Sequence, residues 1–353
     1  MGRSELSAYS GEISVGVIGA GGMGARHADN LSTRVMGARV TGVTDVDRPR
    51  AEELAARCGS DTDVFESEQA LIRNDAIDAI VIASPDDTHA DLVLECLRNE
   101  KPVLCEKPLA TSAEGASKIV DTEAELGRKL VQVGFMRHYD PQHLDAKRAL
   151  DSGAVGRPVL FKGTHRNLAA APGATSESIL FNSAVHDLDC ARWMLGQEIE
   201  GAYVSGAATR GNPGDDVLYL QTIHLKLSGD CLASIEVYVD AAYGYEVEVE
   251  VVGDAGTVHT APSSTPTVRS QRHARRSVEG HWLERFPVAY IQESQGWIDS
   301  LHGGQTTEPD AWDGYTSLVA VEACVRSVYT GSPQLIEPSP RPTLYERFKE
   351  VMS

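Results

Sequence analysis

Short apolar runs alternating with stretches of helical periodicity leave residues 13–136 few folds to choose from. Apolar runs fall at residues 13–18, 39–45, 78–83, 102–105 and 130–134, with helical patterns at 22–33, 48–57, 88–98 and 112–126 between them. Strand–helix alternation of this kind predicts a doubly wound, mostly parallel sheet. Most of the runs carry no polar alternation, as expected when helices cover both faces of the sheet.

The pattern changes near residue 136. A helix is expected at 141–150, a strand at 158–165 and a second helix at 182–195. Alternating segments at 217–227, 231–239, 245–252 and 256–260 then read as half-buried strands joined at Ser228-Gly-Asp230 and Gly253-Asp-Ala-Gly256. Residues 261–276, rich in Ser, Thr, Pro and Arg, read as a loop or irregular strand, and a last helix is expected near 312–330. The fold class is therefore α/β: a Rossmann-type sheet followed by an α+β domain with a large, mostly antiparallel sheet. The expected organisation is a flexible lead-in (1–12), a dinucleotide-binding domain (13–136) and a second domain (137–353). A length of 353 residues suits two cores rather than one.

Charge and cysteine usage narrow the class of partner. A formal net charge of −19 argues against nucleic acid and against anionic membrane surfaces. No apolar run reaches membrane-spanning length, and the polar start lacks a secretory pattern. Cys58, Cys96, Cys105, Cys190, Cys231 and Cys324 are scattered without a Cys-x-x-Cys pair, so reduced thiols in a cytoplasm are expected.

The turn after the first strand reads Gly19-Ala-Gly-Gly-Met-Gly24. Gly19 permits the tight turn, Gly21 lets backbone approach a pyrophosphate, and Gly24 allows close helix–strand packing. The following helix offers free N–H groups to phosphates. Asp45, 21 residues after Gly24, is placed to take both ribose hydroxyls and to repel a 2′-phosphate, which favours NAD over NADP. Ser84 and His89, in the segment after the third strand, are expected over the cofactor; His89 caps the next helix or touches the ligand.

Lys107 follows the fourth strand, flanked by Glu106 and Pro108, at the carboxyl end of the sheet. An ammonium there suits polarising a hydroxyl or carbonyl. A second polar set lies in Phe181-Asn-Ser-Ala-Val-His-Asp-Leu-Asp189. On a helix, Asn182, His186 and Asp189 share one face. The alternatives are a pocket lining or a buried His186–Asp189 core pair. A metal reading with His165, His186, Asp187 and Asp189 is disfavoured: Asp187 points off the His186 face, and no His-x-x-x-His or Cys pair supports it. No metal is expected.

Taken together, Gly19–Gly24, Asp45, Glu106-Lys-Pro108 and the His186 helix resemble the glucose–fructose oxidoreductase/inositol dehydrogenase family. Cys105-Glu-Lys-Pro-Leu-Ala-Thr111, Leu130-Val-Gln-Val-Gly-Phe-Met-Arg137, His165-Arg-Asn167, Tyr243-Gly-Tyr245 and Ala311-Trp-Asp-Gly-Tyr315 are similar to its inositol dehydrogenase branch. The resemblance spans about residues 13–330. It implies NAD-dependent, reversible oxidation of a ring secondary alcohol of an inositol-like cyclitol. Lys107 would bridge the reacting hydroxyl and the cofactor, with His186 as base in oxidation and acid in reduction. Arg137, His165, Asn167, Asn182 and Tyr245 would line the polyol pocket. Gly19, Ala20, Gly21, Met23, Gly24, Asp45, Ser84, His89, Glu106 and Lys107 would surround NAD. For Tyr245 and Arg137 the bland alternatives are sheet core and a pair with an acid. A homotetramer, with the open sheet face of the second domain buried between subunits, is also implied. One departure stands out: the branch usually carries aspartate four residues before the histidine, and this chain has Asn182. A neutral amide supports an imidazolium less than a carboxylate does, and it offers both donor and acceptor. Asn182 is therefore expected to alter substrate choice, which keeps a pyranose, aminocyclitol or keto-sugar in view.

Overall fold

A computed structural model describes residues 11–209, 216–260, 267–304, 308–337 and 339–346. Most of the expected lead-in and the start of the 261–276 segment lie outside the described residues. The chain divides into two compact units: residues 1–135, 290–316 and 339–353 form one, and 136–289 with 317–338 form the other. No described helix is long and apolar enough to cross a membrane.

The first unit begins β1 (Ile13–Ile18), α1 (Gly22–Thr33), β2 (Ala38–Thr44), α2 (Arg48–Cys58), β3 (Asp63–Val64), α3 (Glu68–Ile72), β4 (Ala79–Ile82), α4 (His89–Arg98), β5 (Val103–Cys105), α5 (Ala113–Leu126) and β6 (Val131–Val133). The strands lie in the order β3-β2-β1-β4-β5-β6 and pair in parallel throughout. Every residue of β1, β4, β5 and β6 is buried, which explains their unbroken apolar character. Sequence reading overlooked β3 and α3. Two polar-flanked residues at a sheet edge carry no period, and a five-residue helix is shorter than two turns. Helix starts follow local chemistry: the side chains of Asp47 and Ser112 accept from Arg50 N and Gly115 N.

In the second unit, α6 (Pro141–Asp151), β7 (Pro158–Arg166), α7 (Ser176–Ile179), α8 (Val185–Leu195), β8 (Ile199–Ala207), β9 (Leu220–Leu227), β10 (Cys231–Tyr238), β11 (Glu246–Gly253), β12 (Thr257–His259), β13 (Val268–Ser270), β14 (His273–Arg275) and α9 (Trp282–Arg285) follow in turn. They lead into α10 (Pro287–His302), α11 (Ala311–Thr330) and β15 (Gln334–Leu335). The large sheet runs β12-β11-β7-β10-β9-β8-β15. Its pairs are antiparallel except β7 with β10. Two features differ from expectation, and a third resolves an open alternative. Strand β8, with Gly201, Ala202, Gly206 and Ala207, has too few large apolar residues to announce itself. Within 261–276, where a loop or irregular strand is expected, the described residues form the short β13–β14 hairpin. The helix expected from residue 182 is a π-helical turn over Leu180–Ala184 before α8 begins.

The C-terminal part of the chain serves both units. Trp297, Ile298 and Leu301 of α10 pack in one apolar cluster with Ile13, Val15, Ala28, Leu31 and Leu54 of the first unit. At the start of α11, Asp310 and Asp313 cap each other's backbone N–H groups at 3.2 and 3.1 Å, and Lys129 Nζ lies 2.6 Å from Asp310 Oδ2. This reciprocal capping box accounts for an acidic group that also includes Glu308.

Candidate active site

The glycine-rich turn is built by three different constraints. Gly19 has φ +93°, and a Cβ there would sit 2.5 Å from Ala83 O. A Cβ on Gly24 would meet Gly19 O at 1.7 Å, so turn and helix touch through backbone alone. At Gly21 an added Cβ meets nothing within 4 Å. No atom of the described residues explains a glycine at that position; backbone left open at a helix N-terminus suits a phosphate approaching from outside. Gly21 is the N-cap of α1 and has no side-chain cap, and the first turn contains no acid. The Asp45 carboxylate accepts from Ala20 N at 2.6 Å and Asp47 N at 2.7 Å, which fixes it beside the turn. Arg50 comes within 3.7 Å of it, while the neighbouring Arg48 turns to Glu52. The residues present fit a dinucleotide with free ribose hydroxyls. Ala20 is buried and Met23 half-buried beside them.

Ser84, His89, Glu106 and Lys107 occupy the same unit. The Ser84 hydroxyl pairs with that of Thr88 at 2.6 Å. His89 is buried, with Nδ1 2.7 Å from Pro108 O and Nε2 2.9 Å from Ser84 O. It ties the segment after β4 to the segment after Lys107. Glu106 Oε1 lies 2.8 Å from Nε2 of His27, a fully buried histidine on α1 that sequence reading passed over. Its signal was position: it lies one turn beyond Gly24, on the same buried face of α1 as Leu31. Lys107 is half-buried. Burial lowers the pKa of its ammonium, while Glu106 and Asp86 pull it back up.

In the second unit the 3-10 turn Met136–Tyr139, β7 and α8 converge on Asp187. Arg137 grips this carboxylate in a bidentate pair, Nη1 to Oδ1 at 2.6 Å and Nη2 to Oδ2 at 3.3 Å. His165 Nδ1 lies 2.8 Å from Asp187 Oδ2 and 3.2 Å from Arg137 Nη2. The three residues are respectively 1%, 0% and 3% exposed for Arg137, Asp187 and His165. Burial alone would raise the Asp187 carboxyl, but Arg137 and His165 hold it down to about 2. Tyr245 meets the His165 ring edge-on at 5.8 Å, and burial pushes its phenol up. Asn167 is held by backbone bonds to Tyr238 O and Ala241 N, and its Oδ1 has no hydrogen-bond partner among the described residues.

The helical face expected from Asn182, His186 and Asp189 is only partly realised. His186 is buried in the first turn of α8, and Asn182 lies in the π-helical turn before it. π-turns inside helices are frequent at functional positions. Asp189 is committed to His138 Nε2 at 2.8 Å, and the His138 ring stacks on Trp193 at 4.2 Å. Asp189 therefore completes a core pair with His138 rather than with His186. Asp187, set aside in the sequence because it points off the His186 face, proves to organise Arg137 and His165.

An open glycine turn, an acid held beside it and an all-parallel six-stranded sheet are the features of a dinucleotide-binding unit. The chain belongs to the oxidoreductase family whose NAD-binding Rossmann fold matches residues 13–135 and whose C-terminal alpha/beta domain matches residues 147–335. Among curated relatives, the inositol 2-dehydrogenase of Rubrobacter xylanophilus is 54% identical over 97% of this chain and 98% of its own length. Among solved structures, myo-inositol dehydrogenase from Lactobacillus casei in complex with NAD(H) and myo-inositol is 33% identical. It superposes with a TM-score of 0.90 over 95% of this chain and 100% of the other. The scyllo-inositol dehydrogenase from the same organism, with NAD(H) and scyllo-inositol, is 25% identical with a TM-score of 0.84 over 92% of this chain and 99% of the other.

Proposed function

We propose that this chain oxidises one ring secondary alcohol of an inositol or related cyclitol to the ketone, reversibly. The observation that carries the reading is the 54% identity to an inositol 2-dehydrogenase across both units. Bound NAD⁺ supplies the acceptor for the hydride that leaves the ring carbon. The chain's own residues handle the oxygen and its proton. Lys107, its ammonium made more acidic by burial, steadies the negative charge growing on the oxygen. His186 takes the hydroxyl proton in oxidation and returns it in reduction. Arg137, His165, Asn167, Asn182 and Tyr245 bind the remaining hydroxyls, a role supported by the buried polar network around Asp187. Such groups specify a polyol sharply, because a substrate lacking one hydroxyl leaves a buried partner unpaired.

Asn182 supports a second reading, a pyranose, aminocyclitol or keto-sugar as substrate. Asn182→Asp is expected to reorder the ranking of cyclitols and sugars by kcat/KM; an unchanged ranking removes Asn182 as a selector. The polyol reading itself is tested by Lys107→Ala, expected to lower kcat by about 10²–10⁴-fold with NAD binding retained. Full activity in that variant would remove Lys107 from the chemistry. We further place the protein in the cytoplasm as a tetramer. Six free thiols support the first, and the half-open polar face of the large sheet supports the second.

A further inference from the structure

We infer that Asp187 is the positioning residue that sets which nitrogen of His165 meets the substrate, making the His165 ring a hydrogen-bond acceptor for one cyclitol hydroxyl. This rests on the proposed cyclitol reading for its function, but the tautomer stands on geometry alone. Nδ1 of His165 faces two groups of opposite character. Asp187 Oδ2, at 2.8 Å, only accepts; Arg137 Nη2, at 3.2 Å, only donates. Nδ1 satisfies one of them, not both. The carboxylate is nearer and fully charged, and Arg137 Nη2 has its own acceptor in Asp187 Oδ2 at 3.3 Å. The proton therefore sits on Nδ1, and in the neutral ring Nε2 keeps its lone pair. A hydroxyl donating to Nε2 is then oriented with its own oxygen lone pairs turned outward. This device, an anion selecting the tautomer of a recognition histidine, acts through the ring and never touches substrate.

Replacing Asp187 with asparagine reverses the arrangement. The amide no longer outweighs Arg137, whose Nη2–H turns to Nδ1, and the ring becomes an Nε2–H donor. A donor facing a hydroxyl is not in itself unfavourable, but the hydroxyl must rotate and give up its other partner.

The test has a structural arm and a kinetic arm. Neutron diffraction from crystals of the wild-type protein should place the proton of His165 on Nδ1. A proton on Nε2, alone or together with one on Nδ1, overturns the inference, whatever the substrate proves to be. In kinetics, Asp187→Asn should raise KM for the preferred cyclitol tenfold or more and leave KM for NAD within twofold. The same change made in a His165→Gln background should add less than threefold, because Asp187 acts through that ring. An unchanged cyclitol KM, or full additivity in the double variant, overturns it. If Asp187→Asn does not fold, the neutron arm decides. If the wild-type protein turns over no cyclitol while the proton sits on Nδ1, the cyclitol reading fails and the tautomer assignment survives.

Discussion

Gly19 and Gly21 are identical in chemistry and opposite in cause. Gly19 is required by its own chain: positive φ and a backbone oxygen 2.5 Å from where a Cβ would go. Gly21 is free of such contacts, and its proposed role is to leave room for a ligand phosphate. Gly19→Ala is therefore expected to destabilise folding by about 1–3 kcal/mol, read as a lower urea midpoint. Gly21→Ala should leave that midpoint unchanged yet weaken NAD binding at least tenfold, read by titration calorimetry. Equal loss of stability in both variants would refute the distinction. The motif was legible in the sequence because its spacing is local. The Asp187 network was not, because Arg137, His165 and Asp187 are 28 and 22 residues apart along the chain and meet only through the fold. His27 was missed for the same reason, its partner Glu106 lying 79 residues away.

At the scale of elements, α5, β6 and the 3-10 turn Thr343–Tyr345 share one buried carboxylate. Glu123 Oε1 accepts from Leu130 N and Val131 N, and Oε2 accepts from Tyr345 Oη at 2.6 Å. Burial raises its pKa to about 7 despite these bonds. Because the folded state holds this proton more tightly than the unfolded chain, the stabilisation is complete below pH 4.5 and is lost as pH rises through about 7. The loss is on the order of 3 kcal/mol. Glu123→Gln should flatten that part of the stability–pH curve measured by urea unfolding. A slope as steep as wild type would assign the loss to another group. Elements with a clear period were readable in advance, β1 and α1 to the residue. Those that failed, β3, β8 and the π-turn before α8, are short, small-residued or irregular, and tertiary contacts rather than local preference define them.

For the whole molecule, the outward face of the large sheet combines ion pairs with an exposed leucine. Lys162 pairs with Glu250 at 2.9 Å, and Arg166 bridges Glu236 and Glu246 at 2.7 Å each, while Leu232 on the same sheet is 54% exposed. In the proposed tetramer a partner sheet covers this face and its exposed leucine. Leu232→Arg is expected to shift the protein from tetramer to smaller species in light scattering without lowering the urea midpoint of the isolated subunit. A wild-type mass of one subunit, about 38.0 kDa, would contradict the assembly. The sequence reading reached the two-sheet architecture, yet it assigned residues 290–316 to the second half. Helix α10 shows a buried stripe only once β1, β2 and α1 are in place to receive it.

The proposed chemistry is tested most directly by one assay. NADH formation should be followed by its absorbance with NAD⁺ and a panel of myo-inositol, scyllo-inositol, D-chiro-inositol, an aminocyclitol and glucose, for the wild type and Lys107→Ala. Turnover of at least one cyclitol, abolished in the variant, is the predicted result. Turnover of glucose alone, or no turnover despite measured NAD binding, would contradict it.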